Sequence, residues 1–383
     1  TNEGCAVAAV GLCWLQKITF MRQAKIGNQW VGDAHPCFIT FEAGPTHSGI
    51  ESAIELATQA AKCGADAIKF QVFDPERLIH DKRQLFSYRV LVNRESGETR
   101  EISEPLYDLF KRRALAKDEW AMLREHCERL GLAFFATVGF EDELDFMIEL
   151  GCESIKISSS DVTHVPLLRA AGRSGVNIQL DTGSSDIGEI KEAVEILESE
   201  GCQSIIIHQC PSGYPARLES IYLRMIGTLR STFERWPIAY SDHTPDMDMD
   251  IAALAVGANL IEKTITSDRC IQSVEHMFSL EFSEMESFIR RLRDVEQAMG
   301  TAYRSLSEEQ KLSRQKLRRS PYVNATVKQD SLLRDIPVTF KRPGHGLDPR
   351  EWEELCKSGA KINKDIEEGG IIALEHISIR GES

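Results

Sequence analysis

The sequence predicts an α/β protein, a (β/α)8 TIM barrel followed by a small C-terminal domain. Three observations predict it. Short apolar runs recur along the middle of the chain, and helical periodicity fills the stretches between them. Glycine steps such as Gly64-Ala65, Gly151-Cys152, Gly175-Val176, Gly201-Cys202 and Gly257-Ala258 stop helices just before the next run. Strands alternating with helices make a parallel sheet, and eight such units suit closure into a barrel. An open doubly wound sheet is the alternative, but no Gly-rich phosphate fingerprint follows the first run.

Residues 1–30 read as an N-terminal extension. The apolar run 5–15 is too short to span a bilayer, and Glu3 precedes it where a secretion signal carries positive charge. Met21 followed by Arg22-Gln23-Ala24-Lys25-Ile26 reads as a natural start, leaving residues 1–20 loose. The barrel is expected over 31–300. Its strands fall at 37–41, 67–70, 133–136, 154–157, 176–180, 204–207, 238–240 and 259–261. Helical periodicity covers 50–63, 118–130, 142–150, 187–199 and 247–256, among others. A polar, basic stretch over 301–320 reads as a linker, and a compact domain with short strands at 322–327, 336–340 and 371–373 follows over 321–383.

Composition narrows the function. A net charge of −14 argues against nucleic acid, whose phosphates require a surplus of Lys and Arg. Small anions remain possible, because a few local cations suffice. Ten cysteines without a CxxC pair suit a reduced, cytoplasmic protein with no membrane segment. Cys210 reads as a packing thiol.

The strand ends carry the chemistry. Glu42 follows the first strand, Lys69 and Gln71 close the second, and Thr137 follows the third. Lys156 and Ser159 close the fourth, and Asp181-Thr182-Gly183 follow the fifth. Gln209 through Tyr214, including Ser212, follow the sixth; Ser241-Asp242-His243 close the seventh, and Glu262-Lys263-Thr264 the eighth. In a barrel these positions converge on one mouth. Alternation along a strand puts Lys69 with Gln71, Ser241 with His243 and Glu262 with Thr264. Asp242 and Lys263 then point outward, as supporting groups.

Together these motifs resemble the sialic acid synthase (N-acetylneuraminate synthase) family. The resemblance rests on Glu42-Ala43-Gly44-Pro45-Thr46-His47-Ser48-Gly49, Lys69-Phe70-Gln71, Lys156-Ile157-Ser158-Ser159, Tyr214-Pro215 and Tyr240-Ser241-Asp242-His243-Thr244. It continues through Glu262-Lys263, Glu275-His276 and Lys341-Arg342-Pro343-Gly344-His345-Gly346, the last in a domain resembling the antifreeze-like (SAF) module. It implies a transferase reaction: phosphoenolpyruvate condenses with the aldehyde of an N-acylated amino sugar, and phosphate leaves by C–O cleavage. It also implies that Lys69 and Lys156 hold the phosphoenolpyruvate anion, with Thr137, Ser159, Thr182, Ser212 and Ser241 nearby. Glu42 would steer water or a proton, Glu262 would orient sugar hydroxyls, and Gln71, Tyr214 and Glu275 would line the sugar site. A divalent metal, Mn2+ or Mg2+, is implied on His243, with Glu275 or His276 as the second ligand. A domain-swapped homodimer is implied, in which Arg342 reaches the acceptor in a neighbouring barrel.

Three departures stand out. Thr264 replaces the second metal-binding His of the family pattern, Glu275 replaces an Asp, and Asp181 replaces a Ser. Asp181 read alone suits a lysine pair. His276 read alone suits a hydrogen-bonded structural role, and His47 suits capping the helix that begins near Ile50. Condensation with a different sugar aldehyde, or a catalytically silent sugar-binding barrel, are the alternative functions.

Overall fold

In a computed structural model the structure describes residues 21–72, 74–301 and 303–378. The reading of residues 1–20 as a loose extension lies outside them. The chain divides into two compact units, Thr1–Gly300 and Thr301–Ser383.

The first unit is a closed barrel of eight parallel strands. They are β1 (Phe38–Glu42), β2 (Ala67–Gln71), β3 (Ala133–Val138), β4 (Ser154–Ile157), β5 (Asn177–Asp181), β6 (Ile205–Gln209), β7 (Ile238–Asp242) and β8 (Leu260–Thr266). Each pairs with the next, and β8 closes on β1 with Thr264 opposite Glu42. The helices that follow are α1 (Ile50–Cys63), α2 (Lys117–Arg129), α3 (Glu141–Glu149), α4 (Val165–Arg173), α5 (Ile187–Ser199), α6 (Arg224–Thr232), α7 (Asp248–Ala255) and α8 (Phe282–Met299).

Local chemistry sets the helix ends. Gly64 takes a left-handed conformation (φ 84°) after α1, and its N–H returns to the Ala60 and Ala61 carbonyls. Asp186 begins α5 by accepting from the Gly188 and Glu189 N–H groups, while the Glu189 carboxylate accepts from the Asp186 N–H at 2.9 Å. Outward-facing residues of the strands pack on the helices in one apolar core that includes Ile39, Phe41, Ile68, Phe70, Ile155 and Ile261.

Inward-facing residues change character along the barrel axis. Phe38, Ala67, Phe135, Ile206, Ala239 and Leu260 form an apolar floor. Ala24, Ile26 and Val31 of an antiparallel hairpin, Gln23–Ile26 with Gln29–Gly32, seal it from below. This corrects the expectation that residues up to 30 form an extension: the hairpin is part of the barrel, and its four-residue strands are too short to show a period. Above the floor the interior is polar.

A second hairpin, Leu85–Asn93 with Glu98–Pro105, lies in the long β2–α2 connection. Tyr88 and Val90 pack there on Leu109 and Val274. Arg94 ties it to Glu281 (2.6 Å) and Asp268 (2.8 Å), on the loop that leaves β8.

In the second unit, Ser320–Val323 pairs with Val338–Lys341, and Lys361–Ile362 with Ile377–Ser378. Val323, Leu333, Ile336, Leu347, Trp352, Ile362 and Ile372 form its core. The strand expected at 371–373 is only a single bridge between Ile371 and Tyr322, because apolarity there reflects core burial rather than pairing. Part of the stretch expected as a linker is helix Glu308–Leu317.

Candidate active site

The polar upper half of the barrel is a network of ion pairs and hydrogen bonds built from six strands. Lys69 of β2 pairs with Glu42 of β1, and with Glu262 Oε1 of β8 at 2.9 Å. Lys156 of β4 donates to the same Glu262 oxygen at 2.7 Å and to Ser241 Oγ of β7 at 2.8 Å, and pairs with Asp181 Oδ2 of β5 at 3.0 Å. Both lysines are buried. Glu262 is therefore the shared counter-ion of two ammonium groups.

Burial acts against every charge here, and the neighbours decide the outcome. Burial would raise the Glu262 carboxyl, but Lys156 and Lys69 outweigh it and hold the group ionised, far below its ordinary range. Burial would depress Lys156, but Asp181 and Glu262 raise it above its ordinary value. At Lys69 burial wins over Glu262, with help from the Lys156 charge, and its pKa is lowered.

Glu42 is held in place by backbone. The Gly44 N–H donates to its Oε1 at 2.6 Å, and Gln71 Nε2 donates to the same oxygen at 3.4 Å. Only glycine fits at position 44, since a Cβ there would lie 2.5 Å from Glu42 Oε1 and 2.9 Å from the Gln71 nitrogen. At the rim, His243 directs Nδ1 at the Pro211 carbonyl (3.0 Å), and Tyr214 packs against its ring with centroids 4.6 Å apart. Thr264 donates to Glu275 Oε2 at 3.4 Å.

A model of the NeuB family matches residues 56–304 of this sequence. The chain belongs to the NeuB family. It is 34% identical to an uncharacterised protein of Methanocaldococcus jannaschii, over 92% of this chain and 98% of the relative. It is 28% identical to the N,N'-diacetyllegionaminic acid synthase of Legionella pneumophila, over 90% of this chain and 96% of the relative. Among solved structures, it resembles the N-acetylneuraminic acid synthetase of Leptospira borgpetersenii with a TM-score of 0.66 and 29% identity, over 76% of this chain and 95% of that one.

For this NeuB-family chain, the structure brings Glu42, Lys69, Lys156, Asp181, Ser241 and Glu262 into one network and puts Gln71 beside Glu42. Thr137 lies level with Gln71 and Lys156 in the strand register. Ser159 opens a short 3-10 turn after β4, and Ser212 pairs with Ser184 at 2.7 Å. The Thr182 hydroxyl donates to the His208 carbonyl at 2.7 Å. Both lysines engage Glu262 through Oε1, while its buried Oε2 has no hydrogen-bond partner among the described residues. Arg342 is exposed in the second unit, following strand Val338–Lys341. Asp242 and Lys263 point outward as parity requires, and Lys263 pairs there with Asp242 and with Asp250 of α7 (3.2 Å).

Sequence reasoning missed the layer beneath. His208 Nε2 meets Gln179 Oε1 at 2.9 Å, and its Nδ1 meets Ser241 Oγ at 3.0 Å. Gln179 Nε2 donates in turn to Ser154 at 2.8 Å. Burial and the Lys156 charge push His208 down to about 3, so the ring is neutral. The Gln179 carbonyl fixes its proton on Nε2, and Nδ1 accepts from Ser241. Parity pointed to this residue: His208, not Gln209, shares the inward face, while Gln209 turns outward to donate to the Ile221 carbonyl at 2.8 Å.

The residues partly fit a divalent cation. With Nδ1–H directed at a carbonyl, His243 keeps the Nε2 lone pair for a metal. The Glu275 carboxylate, which burial raises above its ordinary range, would be the second donor. Among the described residues no third His, Cys, Asp or Glu joins such a group. His276 is tied to Thr266 Oγ1 at 2.7 Å and buried, which leaves Glu275 as the better of the two candidates. The eight cysteines among the described residues are free thiols; burial raises Cys210, so it is no ready nucleophile.

Proposed function

We propose that this chain condenses phosphoenolpyruvate with the open-chain aldehyde of an N-acylated amino sugar, giving a nonulosonic acid and inorganic phosphate. The observation that carries the reading is the pair of buried ammonium groups, Lys69 and Lys156, converging at one barrel mouth. Phosphoenolpyruvate carries a phosphate beside a carboxylate, and two cations in a low-dielectric site match it. Its anionic groups replace carboxylates as lysine partners.

Carbon C3 of phosphoenolpyruvate attacks the aldehyde carbon, water adds at C2, and phosphate departs with the bridging oxygen. Glu42, fixed by the Gly44 N–H, is suited to take the proton of that water. Glu262, the shared counter-ion, holds both lysines in place. Gln71 and Tyr214 flank the acceptor, and a divalent cation, Mn2+ or Mg2+, held by His243 and Glu275 would polarise the aldehyde as a Lewis acid. The Legionella relative is named for a diacylated product and the Leptospira structure for a monoacylated one, so both acceptor types belong in the test. We further infer that the second unit is an antifreeze-like module and that the chain works as a homodimer, with Arg342 serving the acceptor site of the partner subunit.

Phosphate release is followed on mixing the chain with phosphoenolpyruvate, Mn2+ or Mg2+, and mono- and diacylated amino hexoses. Release that needs both the acylated sugar and phosphoenolpyruvate is expected. Release with unacylated sugars instead overturns the acceptor class, and no release with any sugar leaves a silent barrel.

A further inference from the structure

A second cavity, of about 340 Å³, lies beside the barrel mouth, and the condensation uses none of its lining. Thr46 and His47 line it from the loop after β1, Arg113 from the long β2–α2 connection, and Ser267, Ser273 and His276 from the loop after β8. Two features of this cavity are costly as they stand.

The first is Arg113, which is 3% exposed. Its guanidinium donates to the Leu109 carbonyl at 3.0 Å and to Ser273 Oγ at 2.8 Å, and it pairs with no carboxylate among the described residues. Burial pushes it down to about 10, and the charge of Glu275 only partly offsets this. A buried cation without a counter-ion is strongly unfavourable.

The second is His47, which is 2% exposed. Its Nδ1 accepts from the Gly49 N–H at 3.4 Å, which leaves the ring proton on Nε2. That Nε2 is buried and has no acceptor. An unsatisfied buried donor and an uncompensated buried cation thus line the same space. One group cures both defects, an oxyanion that accepts from the imidazole and neutralises the guanidinium. The hydroxyls of Ser267 and Ser273 lie on the same lining, and its one carboxylate, Glu55, is exposed.

We infer that this cavity is a second oxyanion site, which takes the phosphate or carboxylate group of a small molecule between Arg113 and His47 Nε2. It shares no residue with the lysine network, so it stands or falls separately from the condensation.

The test is imidazole ¹⁵N NMR of the full-length chain, titrated with inorganic phosphate and separately with acetate at constant ionic strength. A saturable shift of the His47 Nε2 resonance is expected, and loss of that shift in Arg113→Gln. Should Arg113→Gln not fold, Ser267→Asp places a competing carboxylate on the lining and should abolish the shift equally. A shift with phosphate alone assigns a phosphate group, and one with acetate assigns a carboxylate. A His47 signal that moves with neither anion, or moves unchanged in a folded variant, overturns the site.

Discussion

Lys156 has Glu262, Asp181 and Ser241 all within 3.0 Å of its nitrogen. Lys156→Ala should weaken phosphoenolpyruvate binding by roughly 1.5–3 kcal/mol, the usual value of a charged hydrogen bond. Titration calorimetry showing unchanged affinity would put the phosphate elsewhere. Thr264 lies opposite Glu42 in the strand register and beside Glu275, where an imidazole would add a nitrogen donor. Thr264→His is therefore expected to tighten Mn2+ binding, and chelation of the unaltered protein to abolish turnover until metal is returned. Turnover that persists after exhaustive chelation contradicts this. At this scale the sequence was legible wherever parity acts: it placed Lys69 and Glu262 inward and Lys263 outward. It was silent on the layer beneath Ser241, because His208 meets Ser241, and Gln179 meets His208, across separate strands. The role of Arg113 was hidden for the same reason.

Elements were legible where their period was long enough. α1 and α5 run over 50–63 and 187–199, as their periodicity predicts, and every barrel strand lies within a few residues of its apolar run. The strands extend beyond those runs at their C-terminal ends, as β8 does to Thr266, because the inward positions there are polar. The two hairpins were not legible, since the strands of the first are four residues each and the second strand of the other, Glu98–Pro105, is largely polar. Between strand and helix, the outward Lys263 clamps β8 to β7 through Asp242 and to α7 through Asp250. Lys263→Met strands two buried carboxylates and should cost about 3–5 kcal/mol in denaturant unfolding. Burial and the Asp242 charge raise the Asp250 carboxyl above its ordinary range, despite Lys263. Its folded pKa thus exceeds the unfolded value of about 3.9, so its contribution is complete below that pH and fades as pH rises through the folded pKa. Asp250→Asn should remove that decline. An unchanged pH–stability profile would mean Asp250 is not raised.

The whole molecule pairs a barrel whose floor is sealed with a mouth in which two cations hold three carboxylates, and with a separate C-terminal unit. Sedimentation should give a dimer, and Arg342→Ala should raise KM for the sugar without changing affinity for phosphoenolpyruvate. A fully active monomer contradicts that arrangement. Among the described residues no helix is long and apolar enough to cross a membrane. The central claim is that this mouth joins phosphoenolpyruvate to an aldehyde and breaks the C–O bond. It is tested most directly by supplying phosphoenolpyruvate with ¹⁸O in the bridging position, together with the acylated sugar, and locating the label by mass spectrometry. Label in the inorganic phosphate, appearing only when the sugar is present, is the predicted result; label retained in the keto acid, or phosphate released without sugar, would contradict it.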